Sequence, residues 1–215
     1  VLLGEGDFGS LRVSTASSHV VDRLSQELAP ELKLNHAGRY DYRIVQTNGH
    51  HQKGHAGVSP NYLREFLRET NLWGVKSHEK FIPCEYLNAH KSARLELLQG
   101  LLDADGWVEK HGSVRFATSS EQLADDVTLL ARSLGAWASK IRKRTSYTYE
   151  GVKKPGLVSY VVCIVHPDPK SLFSIPEKQS RTRVAVRKKR PTFASIEPIS
   201  VTNTQCISVS HPSHL

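Results

Sequence analysis

One segment of this 215-residue chain is repeated, and the repeat constrains the fold more than any other feature. RVSTASSHVVDRL at Arg12 to Leu24 has an echo in RFATSSEQLADDV at Arg115 to Val127. Each copy predicts a short strand with an arginine on one face, a Ser/Thr cluster and an amphipathic helix with apolar residues near the 3.6-residue period. Ser18 and Ser119 are the expected N-caps, because their hydroxyls can accept free amide protons of the first turn.

The spacing between an acid and a lysine indicates that a whole structural unit is doubled. An acid followed by glycine stands upstream of each copy, at Glu5 and at Asp105. Lys80 lies 75 residues after Glu5, and Lys178 lies 73 residues after Asp105. A chance repeat of serine-rich turns would explain the echo but not this spacing, so we predict two αββαββα units. Further strands are expected over Leu32 to His36, Tyr40 to Thr47, Trp137 to Tyr147 and Leu157 to Val165.

The stretch LLQGLLDADG, from Leu97 to Gly106, predicts a helix that ends on an acid. Its leucines form one apolar face. Gly100 interrupts the helix at a cost of about 1 kcal/mol relative to alanine, and close approach of another backbone would be the compensating reason. Gly106 is the expected left-handed stop after the last turn.

Asp105 falls in the final turn of this helix, where its charge opposes the helix dipole at a cost of about 0.3–1 kcal/mol. A second acid brought beside it across a helix contact would add repulsion. A hard divalent cation with oxygen ligands would relieve both effects. On spacing alone, DADG is equally compatible with a plain helix end that runs into a turn.

Charge and composition narrow the class of protein and its partners. The net charge of +8 favours a polyanionic partner, because neutralised phosphates release counterions. No apolar run approaches the roughly 18 residues that span a bilayer, and the start lacks a signal-peptide pattern, so no membrane partner is expected.

The absence of methionine predicts a piece cut from a longer polypeptide. Three cysteines, odd in number and far apart, favour a reducing intracellular, cytoplasmic setting.

Several predicted strands carry basic residues at alternate positions, as strands that read a DNA groove should. From Ser139 to Thr148 the residues Lys140, Arg142 and Arg144 share one face, and the packing residues Trp137, Ile141 and Tyr147 lie on the other. Arginine on such strands can reach guanine edges, whereas lysine mostly contacts phosphate. A solvated strand face is the alternative for any single residue. The candidate DNA-binding residues are Arg12, Ser14, Arg43, Arg115, Lys140, Arg142 and Arg144.

LLQGLLDADG resembles the dodecapeptide of LAGLIDADG homing endonucleases, with the leucines, the glycine and DADG in register. The start of the chain, VLLGEGDFG, resembles the tail of a first copy of that motif, with Glu5 in the place of the last acid. KFIPCEYL resembles the block between the two motifs in intein endonucleases. The resemblance covers roughly residues 1 to 190.

This resemblance implies an α+β fold in which two pseudo-symmetric αββαββα units place their antiparallel sheets as a saddle over double-stranded DNA. It implies a monomer with pseudo-twofold symmetry, and a site-specific endonuclease taken from an intein, which hydrolyses phosphodiester bonds with divalent metal. Association with the nucleoid would follow from DNA binding.

The resemblance also assigns roles to individual residues. Glu5 and Asp105 would bind Mg²⁺ (or Mn²⁺), and each would serve the cleavage of one DNA strand. Gly4 and Ala104 complete the implied metal-binding set. Lys80 and Lys178 match the family's basic residues near the active sites, where they polarise water or stabilise the charged transition state.

We expect three segments, with boundaries at 1–90, 91–190 and 191–215. The last contains a basic linker and then TQCISVSHPSHL, which resembles the start of an intein's C-terminal splicing block, so it would be a remnant of a splicing domain. GEGDFG matches G-x-G-x-x-G, but the short strand expected after it excludes a dinucleotide site. Two alternatives remain open: a nucleic-acid-binding relative of the maturase or regulator type that has lost cleavage, and a decayed intein domain.

Overall fold

The computed structural model describes residues 1–47, 61–184, 193, 195–198 and 200–205. Its first half contains two strand pairs alternating with helices, in the predicted αββαββα order. The elements are α1 (Leu2–Glu5), β1 (Gly6–Asp7), β2 (Arg12–Ser14), α2 (Ser18–Glu27), β3 (Leu32–His36), β4 (Asp41–Gln46) and α3 (Tyr62–Glu69).

The second half repeats this order with longer elements, after the short connecting helix α4 (Cys84–Leu87). A 3-10 turn at Pro169–Leu172 precedes the last helix. The elements are α5 (Lys91–Asp105), β5 (Gly106–Val108), β6 (Val114–Thr118), α6 (Glu121–Ser133), β7 (Trp137–Tyr149), β8 (Val152–Val165) and α7 (Pro176–Arg181).

Each half contains one four-stranded antiparallel sheet, and the two sheets have the same topology. The strand orders are β1-β2-β4-β3 and β5-β6-β8-β7. Arg12 pairs with Arg43 in the first sheet, and Arg115 pairs with Cys163 at the matching place in the second. The α+β fold of two pseudo-symmetric units is therefore confirmed.

Each sheet buries one face against the helices of its own half. In the second half, Phe116, Val162 and Ile164 pack with leucines of α5 and α6. In the first, Val13 and Ile44 pack with residues of α3 and with partly buried leucines of α2. Among the described residues, the helices pack on this face of each sheet and leave the opposite face open.

The chain passes from one core to the other between two consecutive residues. Phe81 packs against the first core, whereas Ile82 is 3% exposed and belongs to the second. The boundary expected near residue 90 remains a prediction. Beyond residue 184, the described positions of the expected third segment contain neither helix nor strand. In the part of the chain that the structure describes, every helix is too short or too polar to cross a bilayer.

Three local expectations were wrong. The N-caps of α2 and α6 are Ser17 and Ser120, whose side chains accept from Val20 N and Leu123 N; Ser18 lies inside α2, and Ser119 precedes the cap. The hydroxyl that reaches the first turn therefore stands one position away from the one expected in each copy. Gly106 ends α5 in an extended conformation (φ −90°) and not in the left-handed one. A Cβ there would lie 2.5 Å from the Leu102 carbonyl oxygen, so close approach is what requires glycine.

Candidate active site at the helix crossing

The helices α1 and α5 lie side by side and run in the same direction. Gly100 faces the start of α1, since a Cβ built on it would lie 3.2 Å from Val1 N. Further along, a Cβ on Gly4 would lie 2.7 Å from both Ala104 Cβ and Asp105 Oδ2. Sequence reasoning placed the close approach at Gly100, but the tighter contact is at Gly4. Parallel helices in contact bring both C-terminal ends to the same place.

Glu5 and Asp105 are the last residues of these two helices, so the crossing brings the two predicted acids together. Burial raises the pKa of Asp105, although Lys80 and Lys178 oppose the shift. Burial also raises the pKa of Glu5, which is lowered by a hydrogen bond with Thr15 and raised by the charge of Asp105. The ionised forms of the two acids are therefore electrostatically disfavoured in the protein alone.

Lys80 is buried at 5% exposure and directs its ammonium at the end of α1. Its Nζ donates to the carbonyl oxygens of Gly4 (2.9 Å), Gly6 (2.9 Å) and Leu2 (3.5 Å). An ammonium has three donors, so all of them are used on backbone carbonyls. The charge of Lys80 also offsets the negative end of the helix dipole.

Lys178 does the same for α5 from its place on α7. Its Nζ donates to the carbonyl oxygens of Asp103 (2.7 Å), Gly106 (2.7 Å) and Leu102 (2.9 Å). Burial lowers the pKa of Lys80 and that of Lys178, while nearby carboxylates raise both. The two predicted lysines thus occupy matching positions, each on the helix end that carries the acid of its own half.

The donor set at the crossing suits a hard divalent cation. Glu5 Oε2 is buried without a hydrogen-bond partner among the described residues, which leaves a carboxylate oxygen available as a ligand. Among the same residues, no three His, Cys, Asp or Glu side chains lie close enough together to hold a metal ion by themselves. Mg²⁺ is commonly held by one or two carboxylates together with waters and substrate phosphates, so two acids suffice. The carbonyl of Gly4 already accepts from Lys80, and the parts of Gly4 and Ala104 in a metal set remain predictions.

The helix-free sheet faces carry four of the candidate DNA-binding residues. Arg12, Ser14 and Arg43 alternate with the buried Val13 and Ile44, so they lie on the open face of the first sheet. Asp41 shares that face and accepts a hydrogen bond from Ser14 (2.5 Å) beside an ion pair with Arg12 (3.5 Å).

Arg115 lies on the open face of the second sheet, between the buried Val114 and Phe116. It contacts Cys163 Sγ and lies 3.8 Å from Glu109. The open faces of the two sheets therefore carry arginine at matching positions.

The faces of β7 are reversed relative to the sequence prediction. Ala138 is the buried residue, while Trp137 and Ile141, expected to pack, are exposed. Lys140 shares the face of Ala138 and pairs with Asp125 (2.7 Å) and Glu121 (3.1 Å) on α6. Lys140 therefore lies on the helix-covered face of this sheet and not on the open face that carries Arg115, and its part in DNA binding remains a prediction.

Beyond Arg142 and its buried partner Tyr160, β7 and β8 extend as a long hairpin whose residues are mostly exposed. Arg142 and Arg144 continue the register of Lys140. Sequence reasoning missed three exposed lysines on this hairpin. They are Lys143, Lys153 and Lys154. The length of these polar strands could have indicated them. The strands of this hairpin have 13 and 14 residues, whereas those of the first-half hairpin have five and six.

Comparison with known proteins identifies one family and several longer relatives. Residues 92–166 match the family described as LAGLIDADG-like domain. The replicative DNA helicase DnaB of Mycobacterium intracellulare is 31% identical over 164 residues, which are 71% of this chain and 26% of the helicase. The ATP-dependent DNA helicase Hel308 of Thermococcus kodakarensis is 32% identical over 128 residues, 55% of this chain and 11% of Hel308. The chain spans about a quarter or less of these relatives.

Solved structures of a homing endonuclease are similar at lower identity. Mesophilic variants of I-DmoI align with 80% of this chain and 87% of theirs, at 13% identity and a TM-score of 0.47. The crystal structure of I-DmoI in complex with DNA and calcium aligns with 79% of this chain and 80% of its own, at 13% identity and a TM-score of 0.45.

Proposed function

We propose that this chain, which carries a LAGLIDADG-like domain over residues 92–166, is a site-specific endonuclease that cuts both strands of double-stranded DNA. The observation that carries the proposal is the pairing at the helix crossing. Glu5 and Asp105 meet there, and each helix end is capped by the lysine of its own half. Two equivalent centres in one chain suit a substrate with two antiparallel strands.

Each proposed centre uses a carboxylate and a buried ammonium. Bound Mg²⁺ or Mn²⁺ would supply a Lewis acid and an activated water for phosphodiester hydrolysis. Glu5 and Asp105 would hold the cation, and their elevated pKa values reflect charge repulsion and desolvation that a cation relieves. The N–H donors of Lys80 and Lys178 are bonded to backbone carbonyls. These lysines would therefore act through their positive charge near the scissile phosphate and by fixing the helix ends.

The proposed DNA surface is the open face of both sheets together with the β7–β8 hairpin. Arg12, Arg43 and Arg115 project from these faces at matching sheet positions. Phosphate contacts by the basic hairpin would add affinity without specifying sequence. The net charge of +8 supports this assignment. Because one chain supplies both acids, we propose that it acts as a pseudo-symmetric monomer.

We propose that the chain originates from an intein within a longer host protein. The similarity to small portions of DNA-processing enzymes supports this origin, as does the splicing-block resemblance of TQCISVSHPSHL. Such an endonuclease would act inside the cell, on a copy of the host gene that lacks the insertion. The target would then be the sequence formed when the two coding segments that flank this chain are joined directly.

The test is to incubate the purified chain and Mg²⁺ with a supercoiled plasmid that carries this uninterrupted target. The expected product is linear plasmid, with none after addition of a chelator. The same chain with Glu5→Gln and Asp105→Asn is the matched control, and it should bind the target but leave it intact. A mobility shift without cleavage by the wild type would indicate a binding protein of the maturase or regulator type. Neither shift nor cleavage would indicate a decayed domain.

A further inference from the structure

The lysine of the second half is anchored by a residue of its own half. Asp103 on α5 is buried, and its carboxylate accepts from Ser174 N (3.1 Å) and Ile175 N (3.4 Å) and also from the Ser174 hydroxyl. These bonds fix the turn that leads into α7. Since Lys178 lies on α7, Asp103 sets where its ammonium meets the end of α5.

The lysine of the first half is anchored differently, by helix α6 of the second half. The Ser120 hydroxyl, fully buried at the N-cap of α6, donates to the carbonyl oxygen of Lys80 at 2.5 Å. Six residues further along the chain, Asp126 Oδ2 accepts from the backbone N–H of Ile82 at 2.8 Å. The residue that corresponds to Asp103 in α1 is Leu3, which offers no acceptor.

Both anchoring bonds are placed where they resist motion. Asp126 is 6% exposed, and its second oxygen accepts from Gln122 at 2.8 Å, so its orientation is fixed from two sides. Ile82 is embedded in the second core, directly after the residue that packs on the first. A carboxylate that accepts a buried amide N–H makes a stronger bond than a neutral acceptor does.

We propose that Asp126 and Ser120 are positioning residues for Lys80, so that the centre at Glu5 is assembled only on a folded second half. The centre at Asp105 depends instead on Asp103. The inference rests on the proposed function, because it deepens the roles of the two centres. It also predicts which residues each cleavage step depends on. A change in α6 should impair cleavage of one DNA strand, and a change at Asp103 should impair cleavage of the other.

Strand-resolved cleavage tests the proposal. The full-length chain is incubated with Mg²⁺ and the uninterrupted target duplex, labelled differently on its two strands. Asp126→Ala should slow cleavage of one strand about tenfold more than cleavage of the other, so that nicked duplex accumulates. Asp103→Ala should produce the opposite bias. Equal slowing of both strands by Asp126→Ala, or the same bias from both variants, would overturn the proposal.

Two further variants separate positioning from loss of stability. Thr128→Val removes a buried hydrogen bond within the same helix, from Thr128 Oγ1 to Ala124 O, without touching the Lys80 segment. It should leave the strand balance unchanged. Asp126→Asn keeps an acceptor for Ile82 and should restore the balance that alanine loses. A bias in Thr128→Val as large as that in Asp126→Ala would overturn the proposal, and so would a failure of asparagine to rescue.

Hydrogen exchange separates failure of this inference from failure of the proposed function. If the wild-type chain cuts no strand, the nuclease assignment fails by itself. Positioning is then decided by the amide of Ile82, which should be protected in the wild type and should exchange at least about tenfold faster in Asp126→Ala. Thr128→Val should retain the protection. Unchanged exchange at Ile82 in Asp126→Ala would refute the positioning role.

Discussion

Replacing Gly4 by alanine tests the helix crossing on which both centres depend. The added Cβ would lie 2.7 Å from Ala104 Cβ and from Asp105 Oδ2, whereas carbon atoms in contact stay about 3.5–4.0 Å apart. The helices would have to separate by about 1 Å. Overpacking of this kind costs about 1–3 kcal/mol, which lowers Tm by roughly 2–12 °C in a chain of this size. A displacement of about 1 Å at a catalytic group can also slow the reaction by about 100-fold.

The assay combines thermal unfolding with single-turnover cleavage of the target duplex, and Gly100→Ala is the matched control. At Gly100 a Cβ would meet a single backbone atom, Val1 N at 3.2 Å, and alanine gains about 1 kcal/mol of helix propensity. This variant should unfold near the wild-type temperature and should cut both strands. Affinity for the duplex should be unchanged in both variants. If Gly4→Ala melts and cuts like the wild type, the crossing is not where we place it.

Three further predictions concern the acids and the DNA surface. Asp105→Asn should abolish cleavage and keep DNA binding, and it should raise the unfolding free energy, because burial raises the pKa of Asp105 and so disfavours its ionised form in the folded chain; a lower Tm would contradict this sign. Because the pKa values of Glu5 and Asp105 are both raised in the metal-free chain, its affinity for Mn²⁺, measured by calorimetry, should fall on acidification at a pH above the range near 4 that is typical of carboxylates, and a fall confined to that range would refute the burial argument. Arg115→Ala should weaken DNA binding by about 1–3 kcal/mol, whereas Lys140→Ala should have little effect on a titration at fixed salt; equal losses would restore Lys140 to the interface.

The order of elements and the identity of the paired acids could be predicted from the sequence. The repeat and the acid-to-lysine spacing depend only on local pattern, and β3 was predicted with the bounds that the structure has. Glu5 and Asp105 followed because helix ends are set by local sequence. The long helix was predicted for the same reason, although α5 begins earlier, at Lys91.

The contacts between elements could not be predicted in the same way. Gly4 and Gly100 look alike in sequence, and only the register of α1 against α5 distinguishes a contact of 2.7 Å from one of 3.2 Å. The faces of β7 depend on α6, which covers Ala138 and pairs with Lys140. Beyond that helix both faces of the strand are exposed, so alternation carries no information about which face packs.

The two lysines keep the same spatial position in the duplicated unit, although they stand on opposite sides of the amide that is anchored beside them. Lys80 stands two residues before the anchored amide of Ile82, whereas Lys178 stands three residues after the anchored amide of Ile175. Yet each ammonium meets three carbonyl oxygens at the end of its motif helix. A role that needs only a positive charge at a helix end can be met from either side of a turn. In both halves a carboxylate accepts a backbone N–H beside the lysine segment, and because Leu3 cannot provide this carboxylate, the first half takes it from Asp126 across the boundary.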